Sequence, residues 1–274
     1  MTHIPNNFHF IFGLKPQNEP FHLAWYLCLR SCLEVNNPDR IFFHYHNEPY
    51  GEWWERIKPE LELVYVEEEA FIKQNTDYQT NEEGRYIERM QLQYAHQSDF
   101  IRLRALLEYG GVYADIDTLF VKPYPEQFFN QPCVMGRETL SEEKETLCNA
   151  LIIAEPGSIF IKNWLARMYE VFDGTWNRHS CLEPALLSKE FPQSISVVEK
   201  EYFFHYSYTS EGLASLFGKV DPIPDTVCSI HMWSHLWWDE SRTDFIQFHN
   251  GMLTEEFIRN VDTTYNLLAR KYLD

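Results

Sequence analysis

The chain has 274 residues, 45% of them hydrophobic and 16% aromatic, enough for one large α/β domain or two small ones, with a sizeable core. Its 41 acidic against 23 basic residues give a formal charge of −18. That balance argues against a nucleic-acid role, which needs a basic face, and against simple electrostatic docking on anionic lipid. A phosphate-bearing ligand would need a local cation to offset such a field. In chain order, the run Phe8 to Phe12 reads as a buried first strand closed by Gly13. A helix follows from about Pro20 to Val35, then a strand from Arg40 to His46. A short helix is expected over Glu52 to Lys58 and a third strand over Leu61 to Val66. This βαβαβ alternation predicts a largely parallel sheet covered by helices, with ligands beyond the carboxyl ends of the strands.

Residues 73–86 are polar and turn-like, a candidate mobile loop. Glu88 to Tyr109 is the strongest helix, ended by Gly110 at the C-cap position. Strands are expected at Cys133 to Gly136, Leu151 to Ala154 and Val227 to His231. Helices are expected at Ser158 to Phe172, Cys181 to Glu190 and Thr254 to Leu273, the last with Thr254 as N-cap. No repeat or linker interrupts the pattern, so one domain over residues 1–274 is the simplest reading. The start Met1-Thr2-His3-Ile4-Pro5 is polar, without a signal-peptide pattern. No apolar run approaches the ~18 residues of a spanning helix. No transmembrane segment and a cytoplasmic location are therefore expected. The cysteines at 28, 32, 133, 148, 181 and 228 form no CxxC pair and read as buried free thiols in a reducing compartment.

The chemistry concentrates between Ser98 and Asp117. Asp115 and Asp117 are two apart after a glycine-marked helix end, and in an extended segment they would share one face. Two hard oxygen ligands there suit Mn²⁺ or Mg²⁺, which keep positions open for water and phosphate. Alone, such a pair is more often a solvated turn. Ser98, Asp99 and Arg102 lie on one side of the preceding helix, which leads toward Gly110-Gly111. Alone, these would be a surface ion pair of little worth. Together they could bring a hydroxyl, a carboxylate and a guanidinium toward the pair.

The pattern SDxxRxxxLxxxGGxYxDxD, with Ser98, Asp99, Arg102, Leu106, Gly110, Gly111, Tyr113, Asp115 and Asp117, resembles the sugar-nucleotide signature of glycosyltransferase family 32. That family includes yeast mannosyltransferases and is related to the catalytic domain of glucosylating clostridial toxins. Ile4-Pro5 and His9 to Gly13 resemble its opening strand, with Phe12 where the family usually has Trp. Leu147-Cys148-Asn149-Ala150 resembles a segment whose Asn approaches the sugar. His231 and Trp237 match a C-terminal HxxxxSW pattern, although Leu236 replaces Ser. The family's Thr-Gly-Pro turn appears only as Leu182-Glu183-Pro184.

The resemblance implies a GT-A fold with a helical C-terminal addition. It implies transfer of a hexose from a nucleotide-sugar donor to a glycan or other hydroxyl acceptor, with anomeric retention. UDP-sugar is favoured and GDP-sugar possible; Mn²⁺ is the expected metal, with Mg²⁺ the alternative. Asp117 would bind the metal with His231, or else His235, completing its shell. Asp115 would contact ribose or sugar, and Ser98, Asp99, Arg102, Tyr113 and Asn149 would line the donor. Phe12 would stack near the base and Trp237 would cover the diphosphate. Asp115, Asp117 and Arg102 form the expected catalytic set. Residues 73–86 and Trp233 to Trp238 are the expected lids. Asp117→Ala is expected to abolish activity with the fold near intact. Two other readings stay open: a non-catalytic carbohydrate-binding protein, and a glycoside hydrolase using the paired carboxylates.

Overall fold

The computed structural model describes residues 4–75, 79–80, 86–87, 89–141, 144–234 and 253–273. The expected βαβαβ start is present. Strands β1 (Asn7–Ile11), β2 (Arg40–Tyr45) and β3 (Glu62–Tyr65) run parallel, linked through helices α1 (Leu23–Asn36) and α2 (Glu52–Ile57). After α3 (Ala70–Asn75) and the long α4 (Arg89–Tyr109), β6 (Gly111–Ala114) returns parallel to β1. The hairpin β8 (Cys133–Ser141) and β9 (Lys144–Ala154) continues the sheet antiparallel, and β10 (Ser196–Val198) closes it. The order is β10-β8-β9-β6-β1-β2-β3.

Alternating side chains split the core into two layers. Phe8, Phe10, Val112, Ala114, Leu151 and Ile153 share a layer with α1, α2, α7 (Ser210–Phe217) and the C-terminal helices. Tyr113, Met135, Ile152 and Ala154 face α4, α5 (Ile159–Val171) and α6 (Glu183–Glu190). Burial on both faces explains why β1 and β2 read as near-continuous apolar runs. No helix among the described residues is long and apolar enough to cross a membrane.

Three sequence expectations need correction. The helix expected over Thr254 to Leu273 is two helices, α8 (Glu255–Asn260) and α9 (Thr264–Ala269), followed by a short 3-10 turn. Thr254 does cap α8, accepting from Phe257 N–H. A second cap, Thr263 accepting from Asn266 N–H, restarts the chain after extended Val261 and so breaks the run. The segment from Cys181 begins in a π-turn, Arg178–Leu182, and becomes α-helical only at Glu183, with Pro184 in the first turn. Within 73–86, the described residues hold the end of α3 and a small antiparallel pair, β4 (Gln79–Thr80) with β5 (Tyr86–Ile87), rather than turns alone.

Candidate active site

Backbone geometry builds the site. Helix α4 ends at Gly110 and Gly111, both at positive φ (62° and 112°). A Cβ on Gly111 would lie 2.3 Å from the Asn7 carbonyl oxygen, and one on Gly110 would lie 2.5 Å from Pro156 Cδ. Only glycine permits this reversal. His9, fully buried in β1, clamps it from beneath: its Nε2 donates to the Gly110 carbonyl at 2.9 Å. Its Nδ1 lies 3.2 Å from His44 Nε2, so His44 must donate there. The chain then runs up β6 and leaves the sheet at Ala114.

Asp115 and Asp117 therefore do not sit on an extended strand, as the sequence suggested. They occupy the turn between β6 and β7 (Thr118–Phe120), where Thr118 N–H donates to the Asp115 carbonyl at 3.0 Å. Their carboxylates converge because of a partner the alternation rule does not include. Strand β11 (Ser229–His231) pairs antiparallel with β7, with His231 opposite Thr118. Met232 N–H bonds the Asp117 carbonyl, and Ser234 N–H donates to Asp117 Oδ2 at 2.7 Å. His231 Nε2 then lies 3.1 Å from Asp117 Oδ1 and 3.7 Å from Asp115 Oδ2.

Asp117 is 3% exposed. Burial alone would raise its carboxyl, but the His231 charge and hydrogen bond, with the Ser234 donors, hold it well below the usual carboxylate range. His231 moves reciprocally: burial would lower it, and Asp117 raises it above its ordinary value. Its Nδ1 has no partner among the described residues, and its ring packs 4.1 Å from that of Trp233. Asp115 is more open, its side chain 28% exposed. One ligand atom from each of Asp115, Asp117 and His231 fits within 4.8 Å of the others. Carboxylate and imidazole donors suit a divalent ion, and the residues present fit one.

Behind this trio lies a polar lattice. Arg102, 5% exposed, donates Nη1 to the Asn149 carbonyl at 2.7 Å and Nη2 to Ser98 Oγ at 3.0 Å. It lies 3.2 Å from Asp99 and 3.3 Å from Asp115 Oδ1, with its guanidinium over the Tyr113 ring at 4.4 Å. Burial works against the Arg102 charge; Tyr113, Asp115 and Asp99 outweigh it and raise its pKa. The Tyr113 hydroxyl donates to Asp115 Oδ1 at 2.5 Å. Asn149 Nδ2 donates to Asp99 Oδ1 at 2.7 Å. Asn149 reaches the lattice because β9 bulges: Ile152 pairs with Met135, yet Cys148 already pairs with Gly136. The released Ala150 carbonyl accepts from Asp115 N–H at 2.8 Å.

The structure thus gathers Ser98, Asp99, Arg102, Tyr113, Asp115, Asp117, Asn149 and His231. Phe12 follows β1, half-buried, edge-on to Phe21 at 5.2 Å. His235 and Trp237 lie outside the described residues, as does most of the expected Trp233 to Trp238 lid. Trp233 itself is no lid: it is 7% exposed, sits at φ 56°, and donates Nε1 to the Tyr206 carbonyl. Asp117 is likewise not an exposed-site ligand. Truncating it to Ala would remove a partner from His231 Nε2 and from Ser234 N–H, so a cost in stability is expected beside the loss of activity. Sequence reasoning missed His179, whose Nε2 lies 3.0 Å from Asp99 Oδ2, and the Ser234 backbone donor. Neither had a spacing signal, since both arrive from distant segments.

The six cysteines are free, all buried except the half-buried Cys181. Residues 45–135, which include Arg102 and both aspartates, match the family described as glycosyltransferase sugar-binding region containing DXD motif. Glucan organizing enzyme 1 of Cryptococcus neoformans var. grubii serotype A is 35% identical over 215 residues, which cover 73% of this chain and 54% of that protein. The chain thus spans about half the length of this relative. The glycosyltransferase GlyE of Streptococcus pneumoniae TIGR4 has a TM-score of 0.50 at 12% identity, covering 98% of this chain and 63% of its own. PaToxG glycosyltransferase has a TM-score of 0.48 at 15% identity, covering 98% and 88%. The mostly parallel sheet with helices on both faces has the expected GT-A class. Residues 45–135, with Arg102 and both aspartates, thus carry the DXD-containing glycosyltransferase sugar-binding region, set within this fold.

Proposed function

We propose that the chain, as one domain over residues 1–274, transfers a hexose from a nucleotide-sugar donor to a glycan hydroxyl, with retention at the anomeric carbon. A UDP-sugar is favoured over a GDP-sugar. The observation that carries this reading is the convergence of Asp115, Asp117 and His231 beside the buried Arg102 lattice. Asp117 and His231 would hold Mn²⁺, or Mg²⁺, with Asp115 beside them. When bound, the metal supplies Lewis-acid charge for the departing diphosphate, with no need of a protein proton donor.

The chain's own residues do the rest. Ser234 N–H fixes Asp117 by Oδ2, leaving Oδ1 toward His231 Nε2, where the pair would hold the metal. Arg102 and Tyr113 orient Asp115, whose partly exposed carboxylate is available to ribose or sugar hydroxyls. Asp99, Asn149 and Ser98 form the wall behind the sugar, Phe12 offers a ring face to the base, and Trp237 would cover the diphosphate. The hydrolase reading is weaker: its carboxylates stand ~5–9.5 Å apart on opposite sides of the scissile bond, whereas these two converge on one imidazole. The free thiols support a reducing, cytoplasmic setting as part of the same proposal.

A thermal-shift screen of UDP- and GDP-sugars, each with and without Mn²⁺, tests the reading. A donor at ~100 Kd should add ~2.7 kcal/mol of stability by mass action, and only with the metal present. Stabilisation by free glycans alone, with no response to any nucleotide, would favour the carbohydrate-binding reading instead.

A further inference from the structure

Asp99 is the hub of the lattice, and one of its partners comes from a segment that no motif includes. His179 stands in the π-turn Arg178–Leu182, fully buried. Its ring is enclosed by Phe172 at 4.9 Å, His96 at 4.9 Å and Phe100 at 6.1 Å between centroids. Its backbone is pinned by Trp164 Nε1, which donates to the His179 carbonyl at 2.9 Å. The Nδ1 atom has no partner among the described residues. Nε2 is therefore the ring's one engaged nitrogen, and it donates to Asp99 Oδ2 at 3.0 Å.

We infer that His179 is a positioning residue of the donor-sugar wall: its Nε2–H locks the Asp99 carboxylate, and Asp99 in turn aims Asn149 and Arg102. The inference rests on the glycosyltransferase reading. Each Asp99 oxygen has its own task. Oδ1 accepts the Asn149 amide at 2.7 Å and lies 3.2 Å from Arg102, while Oδ2 faces His179. Without the imidazole donor, Oδ2 would be a buried oxygen seeking a new partner, and the carboxylate would turn about its Cβ–Cγ bond. That turn would release the Asn149 amide and loosen Arg102, which also orients Asp115 at 3.3 Å. A misplacement of ~1 Å at such a wall is worth up to ~100-fold in rate. The metal position would be little disturbed, because Asp117 and His231 are held by Ser234 and the β7–β11 pairing instead.

The test compares His179→Phe, which preserves ring volume without the donor, with His179→Gln, whose amide nitrogen can reach the place of Nε2. Turnover is read with whichever member of a UDP- and GDP-hexose panel the wild type uses. Binding of UDP with Mn²⁺, or of GDP with Mn²⁺ for a GDP donor, is measured alongside. The Phe variant should lose at least tenfold in kcat/KM for the sugar donor while nucleotide–Mn²⁺ affinity stays within about twofold, and Gln should retain at least a third of wild-type turnover. If Phe does not fold, His179→Asn, whose amide falls short of Asp99, takes its place and should show the same loss. Unchanged turnover in the donorless variant overturns the inference, as does equal damage in the Gln variant, which would mean packing alone. A wild type inert toward every donor would instead overturn the glycosyltransferase reading.

Discussion

Replacing Arg102 by Met tests whether the lattice behind the carboxylates is as closed as its geometry implies. The guanidinium is 5% exposed and serves Ser98 Oγ, the Asn149 carbonyl, Asp99 and Asp115 at 2.7 to 3.3 Å. Met fills similar volume but leaves two carboxylates without their cation. Breaking a buried ion pair by removing one partner costs ~3–5 kcal/mol. Asp115 is partly exposed and can be hydrated, so the lower end, ~3 kcal/mol, is expected. At ~2–4 °C per kcal/mol for a chain of this size, the melting point should fall by about 10 °C. Arg102→Lys should recover under half of that, because one ammonium cannot span four acceptors in a planar fork. Urea unfolding of the three proteins supplies the comparison. A loss under 1 kcal/mol in the Met variant, or full recovery in Lys, would refute the reasoning.

Further expectations follow from the turn and its clamp. Gly111→Ala forces a Cβ to 2.3 Å from the Asn7 carbonyl at φ 112° and should destabilise by ~2 kcal/mol or more, read as a lowered urea midpoint. Burial lowers His9 to about 4, helped by Arg40 and opposed by the Gly110 hydrogen bond, and lowers His44 to about 3 with His9 adding to it. Tyr109 packs on the same ring. Both histidines stay neutral when folded while the unfolded chain takes up protons below ~6.5, so stability falls as pH drops from 6.5 toward 4. His9 alone accounts for up to ~3 kcal/mol of that. The difference in melting temperature between His9→Gln and wild type should therefore shift in favour of the variant over that window; parallel curves would contradict it. Asp117→Asn keeps an acceptor for the Ser234 N–H but removes a charge, so it should weaken Mn²⁺ binding at least tenfold by calorimetry with a far smaller stability loss than Asp117→Ala.

Much of this was legible because the relevant signals are local. Gly110-Gly111 after a long helical run marks the end of α4, and apolar runs mark β1 and β2, where both sheet faces are covered. Asp115 and Asp117 were readable as a pair, but the reason for their convergence was not. Strict alternation would put them on one strand face, whereas a turn and the remote β11 bring them together. Strands β7 and β10 have three residues each, too few for a period to show, whereas β11 falls within the strand expected over Val227 to His231. The division of Asp99's oxygens among Asn149, Arg102 and His179 depends on a β9 bulge and a π-turn, which are tertiary outcomes. The break inside the helix expected over Thr254 to Leu273 comes from the cap that Thr263 makes to Asn266 N–H, which the helical pattern alone did not show.

The most direct test of the central claim is donor turnover by the chelated protein, with Mn²⁺ then returned. The site at Asp115, Asp117 and His231 predicts that a UDP- or GDP-sugar is hydrolysed or transferred by the wild type, that chelation stops this, and that Mn²⁺ restores it. In Asp117→Asn the added Mn²⁺ should restore little. Full turnover in chelator, or an undiminished response in that variant, would contradict the account.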